Sequence, residues 1–89
     1  MKIVLTIIGK DCIGIVAAVS TALAERRVNI MDMNQNIMNG FFNMVMIADM
    51  ESSTVSLGEL QDSMRAVGEK LGLQIKVQSE EIFNAMHTV

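Results

Sequence analysis

The stretch Ile7-Ile8-Gly9-Lys10-Asp11-Cys12-Ile13-Gly14-Ile15 decides how the rest of the chain reads. An apolar run stops at Gly9, two charged residues and a cysteine follow, and after a second glycine an apolar pattern of different period begins. This is a strand, a tight turn and the start of a helix. Glycine at either end lets the backbone bend sharply and lets another group come close. A helix start leaves backbone N–H groups without internal partners, and a small anion such as an amino-acid carboxylate fits against them. The turn therefore reads as a ligand cradle, or more blandly as a turn needed only for packing.

Working outward, Lys2 to Ile8 is a short Ile/Val/Leu-rich strand, apolar on both faces, so both faces should be covered. Ile13 to Arg27 has helical spacing, with Ile13, Val16, Ala17, Ser20, Leu23 and Ala24 on one side. Asp11 suits the positive end of that helix, and Arg26 and Arg27 the negative end. Val28 to Met38 is a strand with Ile30, Asp32, Asn34, Asn36 and Met38 as one alternate set and Met31, Met33, Gln35 and Ile37 as the other. The polar run on the first set implies a face that meets water, a ligand or a polar seam. Asn39-Gly40 then marks a hairpin, because both central positions tolerate positive φ. The returning strand, Phe41 to Met50, places Phe42, Met44, Met46, Ala48 and Met50 on one face.

Ser56-Leu57-Gly58-Glu59 matches a capping box. It opens an amphipathic helix carrying Leu57, Leu60, Met64, Val67 and Leu71, which Gly72 should stop. Leu73 to Gln78 alternates as a half-buried strand. Ser79 caps a last short helix with Ile82, Phe83 and Met86 on one side, too short to stand without docking on something. The order is strand, helix, strand, strand, helix, strand, with a helical tail. Right-handed crossovers put both long helices on one face of a four-stranded antiparallel sheet, the α+β ferredoxin-like βαββαβ sandwich. The other face or a sheet edge is then the expected interface of a homodimer, part of it covered by the tail.

The bulk numbers bound the function. With 89 residues, no proline and no linker, a single domain over 1–89 is expected. A composition 51% hydrophobic but only 3% aromatic demands an aliphatic, methionine-rich core and favours burial against a partner. A net charge of −3 and a pI near 4.9 argue against nucleic acid. One cysteine forms no internal disulfide, and the first apolar run is too short for a signal peptide or membrane span, so a cytoplasmic location is expected.

Several chemistries lack their residues. Gly9 to Gly14 has the glycine spacing of a phosphate-binding loop, but Ile15-Val16 stands where Lys-Ser/Thr is needed. A metal-chaperone loop needs two thiols, and an acylphosphatase-like loop needs an arginine fork rather than Lys10. Phe41 and Phe42 are adjacent and point to opposite faces, unlike an RNA-binding sheet. Cys12 has no visible activating base, so it reads as a small filler at a helix start that a helix N-terminus can make oxidation-sensitive. His87 is the only histidine. No acid–base pair or activated nucleophile is visible, so neither an enzyme nor a cofactor nor a metal site is expected.

Taken together, Gly9-Lys10-Asp11-Cys12-Ile13-Gly14-Ile15 between a strand and a helix, Val28-Asn29-Ile30-Met31-Asp32 opening the second strand, and the ending Glu81-Ile82-Phe83-Asn84-Ala85-Met86 resemble the ACT domain, in particular its small stand-alone members. The resemblance implies a regulatory module that binds an amino acid or similar small molecule. The site implied lies between the first loop of one subunit and the second strand of another. Carried over by position, Gly9, Lys10, Asp11, Cys12, Ile13, Gly14 and Ile15 would offer backbone N–H groups to a carboxylate, and Asp11 would pair with an amino group. Asn29, Ile30 and Asp32 would line the facing wall, with Gln35 as a secondary candidate. Cys12 stands where many loops of the family carry proline, which leaves this turn less rigid. No catalytic domain is attached, so regulation of an enzyme or transcription factor would act in trans. The alternative is a ligand-free interaction module that uses the same fold as an assembly platform.

Overall fold

The computed structural model describes residues 1–10 and 13–87. The elements are β1 (Lys2–Gly9), α1 (Ile15–Glu25), β2 (Asn29–Met38), β3 (Phe41–Asp49), α2 (Leu57–Leu71), β4 (Gln74–Ser79) and α3 (Glu80–His87). The strands form one antiparallel sheet in the order β2-β3-β1-β4, so the ferredoxin-like order holds. α1 and α2 cover one face. Beneath them lie Ile3, Leu5 and Ile7 of β1, Phe42, Met44, Met46 and Ala48 of β3, and Val77 of β4, all buried. The aliphatic, methionine-rich core follows directly from alternation along these strands.

Local chemistry sets the boundaries. Asn39 (φ 51°) and Gly40 (φ 80°) make the tight turn between β2 and β3. At α2, Glu59 N–H donates to Ser56 Oγ (3.2 Å) and Ser56 N–H donates to Glu59 Oε1 (3.2 Å), the full reciprocal box. Gly72 ends α2 at φ 72°. Ile82 N–H donates to Ser79 Oγ (3.2 Å), so Ser79 caps α3 as expected.

Three readings from the sequence need correction. α1 starts at Ile15 rather than Ile13, and its buried side is Ile15, Val19, Ala22 and Leu23. Ile13 lies in the turn, 87% exposed. Counting the helix from Ile13 rotates its inward face, because alanine and serine fill both sides and only Ile15 and Val19 separate them. In β2 the strict alternation fails: Ile30 pairs with Ala48 but the next pair is Asp32 with Ile47, so a bulge sits at Met31. Ile30 therefore shares the helix-covered face with Met33, both packed on the core, while Asp32, Asn34, Asn36 and Met38 line the opposite face. In α2 the buried line runs Leu60, Met64, Gly68, and Leu71 is 41% exposed.

The second sheet face is covered only in part. α3 folds back against β1 and β4. Gln78 Nε2 donates to Met86 Sδ (3.2 Å), and Val4, on this face, is 3% exposed. Ile8, Phe41 and Val45 of the same face stay exposed, as do Ile82 and Met86 on α3 itself.

Met64 is fully buried, which contributes roughly 1.5–3 kcal/mol. Met64→Leu is expected to melt within about 1.5 kcal/mol of the parent, and Met64→Asp to lose its cooperative thermal transition because it buries an unpaired charge. A second prediction comes from Gly68, where a Cβ would lie 2.7 Å from the Leu73 carbonyl oxygen, a backbone atom. Gly68→Ala should destabilise by about 1–3 kcal/mol despite the gain of about 1 kcal/mol in helix propensity. A melting temperature equal to or above the parent's would exclude that contact.

Candidate functional site

The first turn joins β1 to α1. Gly14 is the N-cap residue of α1, at φ 75° and ψ −2°, and it gives no side-chain cap to the helix. That backbone is left-handed, which explains glycine at this position. Among the described residues nothing lies within 4 Å of where its Cβ would be. Gly9 is buried, and the group that approaches it closely is the chain's own Leu73 side chain, which a Cβ would overlap. Lys10, Ile13 and Gly14 are exposed, whereas Ile15 is 2% exposed and has only its backbone to offer. The roles expected of Asp11 and Cys12 lie outside the described residues, as does the side chain of His87.

The facing wall is elsewhere. Asn29 opens β2 and is exposed, Ile30 packs on the core, and Asp32 is exposed with its Oδ1 accepting from Met33 N–H (2.8 Å). Gln35 is exposed, its Nε2 3.5 Å from Met33 Sδ. Gly9 and Ile37 both pair with Phe42, so the first turn lies level with the end of β2. Lys2 and Asn29 both pair with Asp49, so Asn29 lies level with the start of β1. At about 3.3 Å per residue the two levels are roughly 25 Å apart. Within one chain, then, the turn and Asn29 stand at opposite ends of the sheet.

Beside Asn29 the structure adds a feature that the sequence reading missed. α1 ends in a Schellman motif: Arg27 N–H donates to Ala24 O (3.0 Å) and Val28 N–H to Leu23 O (2.9 Å). The left-handed position of that motif belongs to glycine as a rule, yet here it is Arg27, at φ 58°. An L-residue held there costs roughly 1–2 kcal/mol. Both arginines read from sequence as partners of the helix dipole. Arg26 does this, with Nη1 donating to Ala22 O (2.9 Å). Arg27 instead lines an open cavity of about 280 Å³ with Ala24, Val28, Asn29 and Ser52. The loop after β3 is fixed to this end of the helix, since Thr54 N–H (3.0 Å) and Thr54 Oγ1 (3.3 Å) both donate to Arg26 O. A helix end written Arg-Arg-Val-Asn, without glycine, was the available signal.

Among the described residues no three His, Cys, Asp or Glu side chains converge as metal ligands. No helix among them is long and apolar enough to cross a membrane.

This sheet order, with a glycine-bounded turn between the first strand and the first helix, is that of a ferredoxin-like fold, and the sequence profile of the ACT domain matches residues 2–78. The chain belongs to the ACT domain family, whose members commonly bind amino acids in regulation. Within it, the chain is 46% identical over 89 residues to a UPF0237 protein of Clostridium acetobutylicum, covering 100% of both chains. It is 49% identical over 87 residues to a UPF0237 protein of Listeria innocua, covering 98% of each. The solved ACT domain protein of Streptococcus pneumoniae superposes with a TM-score of 0.84 at 36% identity, covering 98% of each chain.

The geometry at Gly14 gives a direct check. Gly14→Ala meets no steric obstacle among the described residues but forces an L-residue to φ 75°, so the expected loss is about 1 kcal/mol. Urea unfolding should show a lower midpoint with an unchanged slope; an unchanged midpoint would argue against the left-handed turn.

Proposed function

We propose that the chain is a regulatory module that acts in trans, binding an amino acid or similar small molecule between two copies of itself. The observation that carries this reading is the strand register. The turn after β1 and the Asn29 end of β2 stand roughly 25 Å apart within one chain. An antiparallel pair of copies related by a two-fold axis perpendicular to the edge strand β2 brings the Asn29 end of one level with the turn of the other. The edge suits such pairing. β2 is ten residues long, at the margin of the sheet, and carries neither proline nor lysine, the residues that usually block an edge. At the opposite margin β4 is six residues long and includes Lys76.

In that arrangement each subunit supplies half of a site. Backbone N–H groups at the start of α1, with Lys10 nearby, meet the ligand carboxylate, and Asp11 takes the amino group. The partner copy contributes the Asn29 wall. A ligand that spans the seam favours the paired state over the separate one, and this difference in affinity is what transmits the signal. The chain then needs no chemistry of its own, and the regulated enzyme or transcription factor reads the paired state.

A second reading, an assembly platform without ligand, draws support from exposed apolar side chains: Ile8, Phe41 and Val45 on the sheet face that α3 covers in part, and Ile82 and Met86 on α3. The two readings differ in one experiment. Thermal unfolding across a panel of amino acids at millimolar concentration is expected to give an upward shift with a narrow set, since a ligand at a hundredfold excess over Kd adds about 2.7 kcal/mol. Asp11→Ala and Asn29→Ala should each lose the shift while sedimentation velocity still reports the parent's assembly. A flat panel with intact pairing would overturn the sensor and leave the platform.

A further inference from the structure

The cavity at the end of α1 carries one more step. Its walls are fixed: Ala24 and Val28 belong to the helix end and its Schellman motif, and the loop bearing Ser52 is tied back by the two Thr54 bonds to Arg26 O. Three of its lining residues are polar: Arg27, Asn29 and Ser52. Among the described residues no carboxylate pairs with Arg27. Asp49, at the same end of the sheet, is taken up by the N-terminal ammonium (3.7 Å) and by Glu51 N–H (2.9 Å). Arg26 already serves the helix end, so Arg27 is not needed there. Glycine would fit its backbone better, and strain of this kind at a non-glycine residue is characteristic of positions kept for what the side chain does. Arginine, asparagine and serine residues all carry hydrogen-bond donors that suit an oxyanion, and the arginine adds a permanent charge.

We propose that Arg27, Asn29 and Ser52 form an anion subsite that takes the side-chain acid of the ligand, so that the compound sensed is an amino acid with a second acidic group. The ligand class rests on the paired-subunit reading above: the α-carboxylate lies at the turn of one copy and the second acid at Arg27 of the other. The subsite itself does not depend on that reading.

The test uses the full chain, with L-glutamate, L-glutamine and inorganic phosphate as probes, by isothermal titration and thermal unfolding. The parent is expected to bind glutamate at least tenfold more tightly than glutamine. Arg27→Gly should collapse that ratio to near one while raising the melting temperature of the ligand-free protein, which separates a lost contact from a lost fold. Ser52→Ala should reduce the ratio by a smaller factor. Equal binding of glutamate and glutamine by the parent would overturn the acidic subsite and leave the paired site standing. A ratio unchanged in Arg27→Gly would also overturn it. Phosphate binding that Arg27→Gly abolishes and Asp11→Ala leaves intact, with no amino acid bound, would keep the subsite and remove the paired reading. No binding of any probe at 10 mM would overturn the subsite.

Discussion

The close approach at Leu73 is the constraint on which the rest depends. Its side chain occupies the space a Cβ on Gly9 would take, and its carbonyl oxygen does the same for Gly68. Its N–H donates to Gly68 O (2.7 Å), which turns the chain out of α2 toward β4. One residue thus joins the end of β1, the last turn of α2 and the beginning of β4. The turn hangs from this junction, because β1 ends at Gly9. A Cβ at Gly68 would press on the Leu73 backbone and push α2 from β4, whereas one at Gly9 would force the Leu73 side chain to turn aside.

The two ends of α1 are built on different principles. At its start glycine occupies the left-handed position without penalty and offers no side-chain cap. At its end an arginine occupies the equivalent kind of position, and the neighbouring loop is bonded down beside it. The first end is a helix N-terminus with main-chain donors; the second carries a charged residue beside a loop bonded to the helix end. A small molecule held between two such ends would meet backbone donors on one side and an orienting cation on the other, which fits a molecule with an anionic group at each end.

Much of the fold was legible because strong local signals agreed with one another. Asn39-Gly40, the Ser56–Glu59 box and the alternation from Phe42 to Met50 each have one physical reading, and each appears in the structure. The inward face of α1 was not legible, since a helix so rich in alanine and serine has weak contrast between its sides. The Met31 bulge leaves no mark in residue types, because Ile30, Met31 and Met33 are all apolar and any of them satisfies either face. The candidate site reads from the sequence as two segments, without their relative placement. That the segments lie at opposite ends of one sheet follows from register, and register is long-range information. Arg27 was hidden for a related reason: only backbone geometry distinguishes it from Arg26.

The order of the strands also bears on how the protein is made. β1 is the third strand of the sheet, between β3 and β4, and Ile3 pairs with Ser79 across nearly the whole chain. During synthesis β1 therefore lacks one of its two neighbours until β4 has emerged. The β2–β3 hairpin closes locally and early, whereas the Leu73 junction and the α3 cover over Val4 form only once the segment after α2 has emerged. For that interval the nascent chain carries an apolar strand with one open edge, and a chaperone that binds short extended apolar segments would find β1 before β4 does.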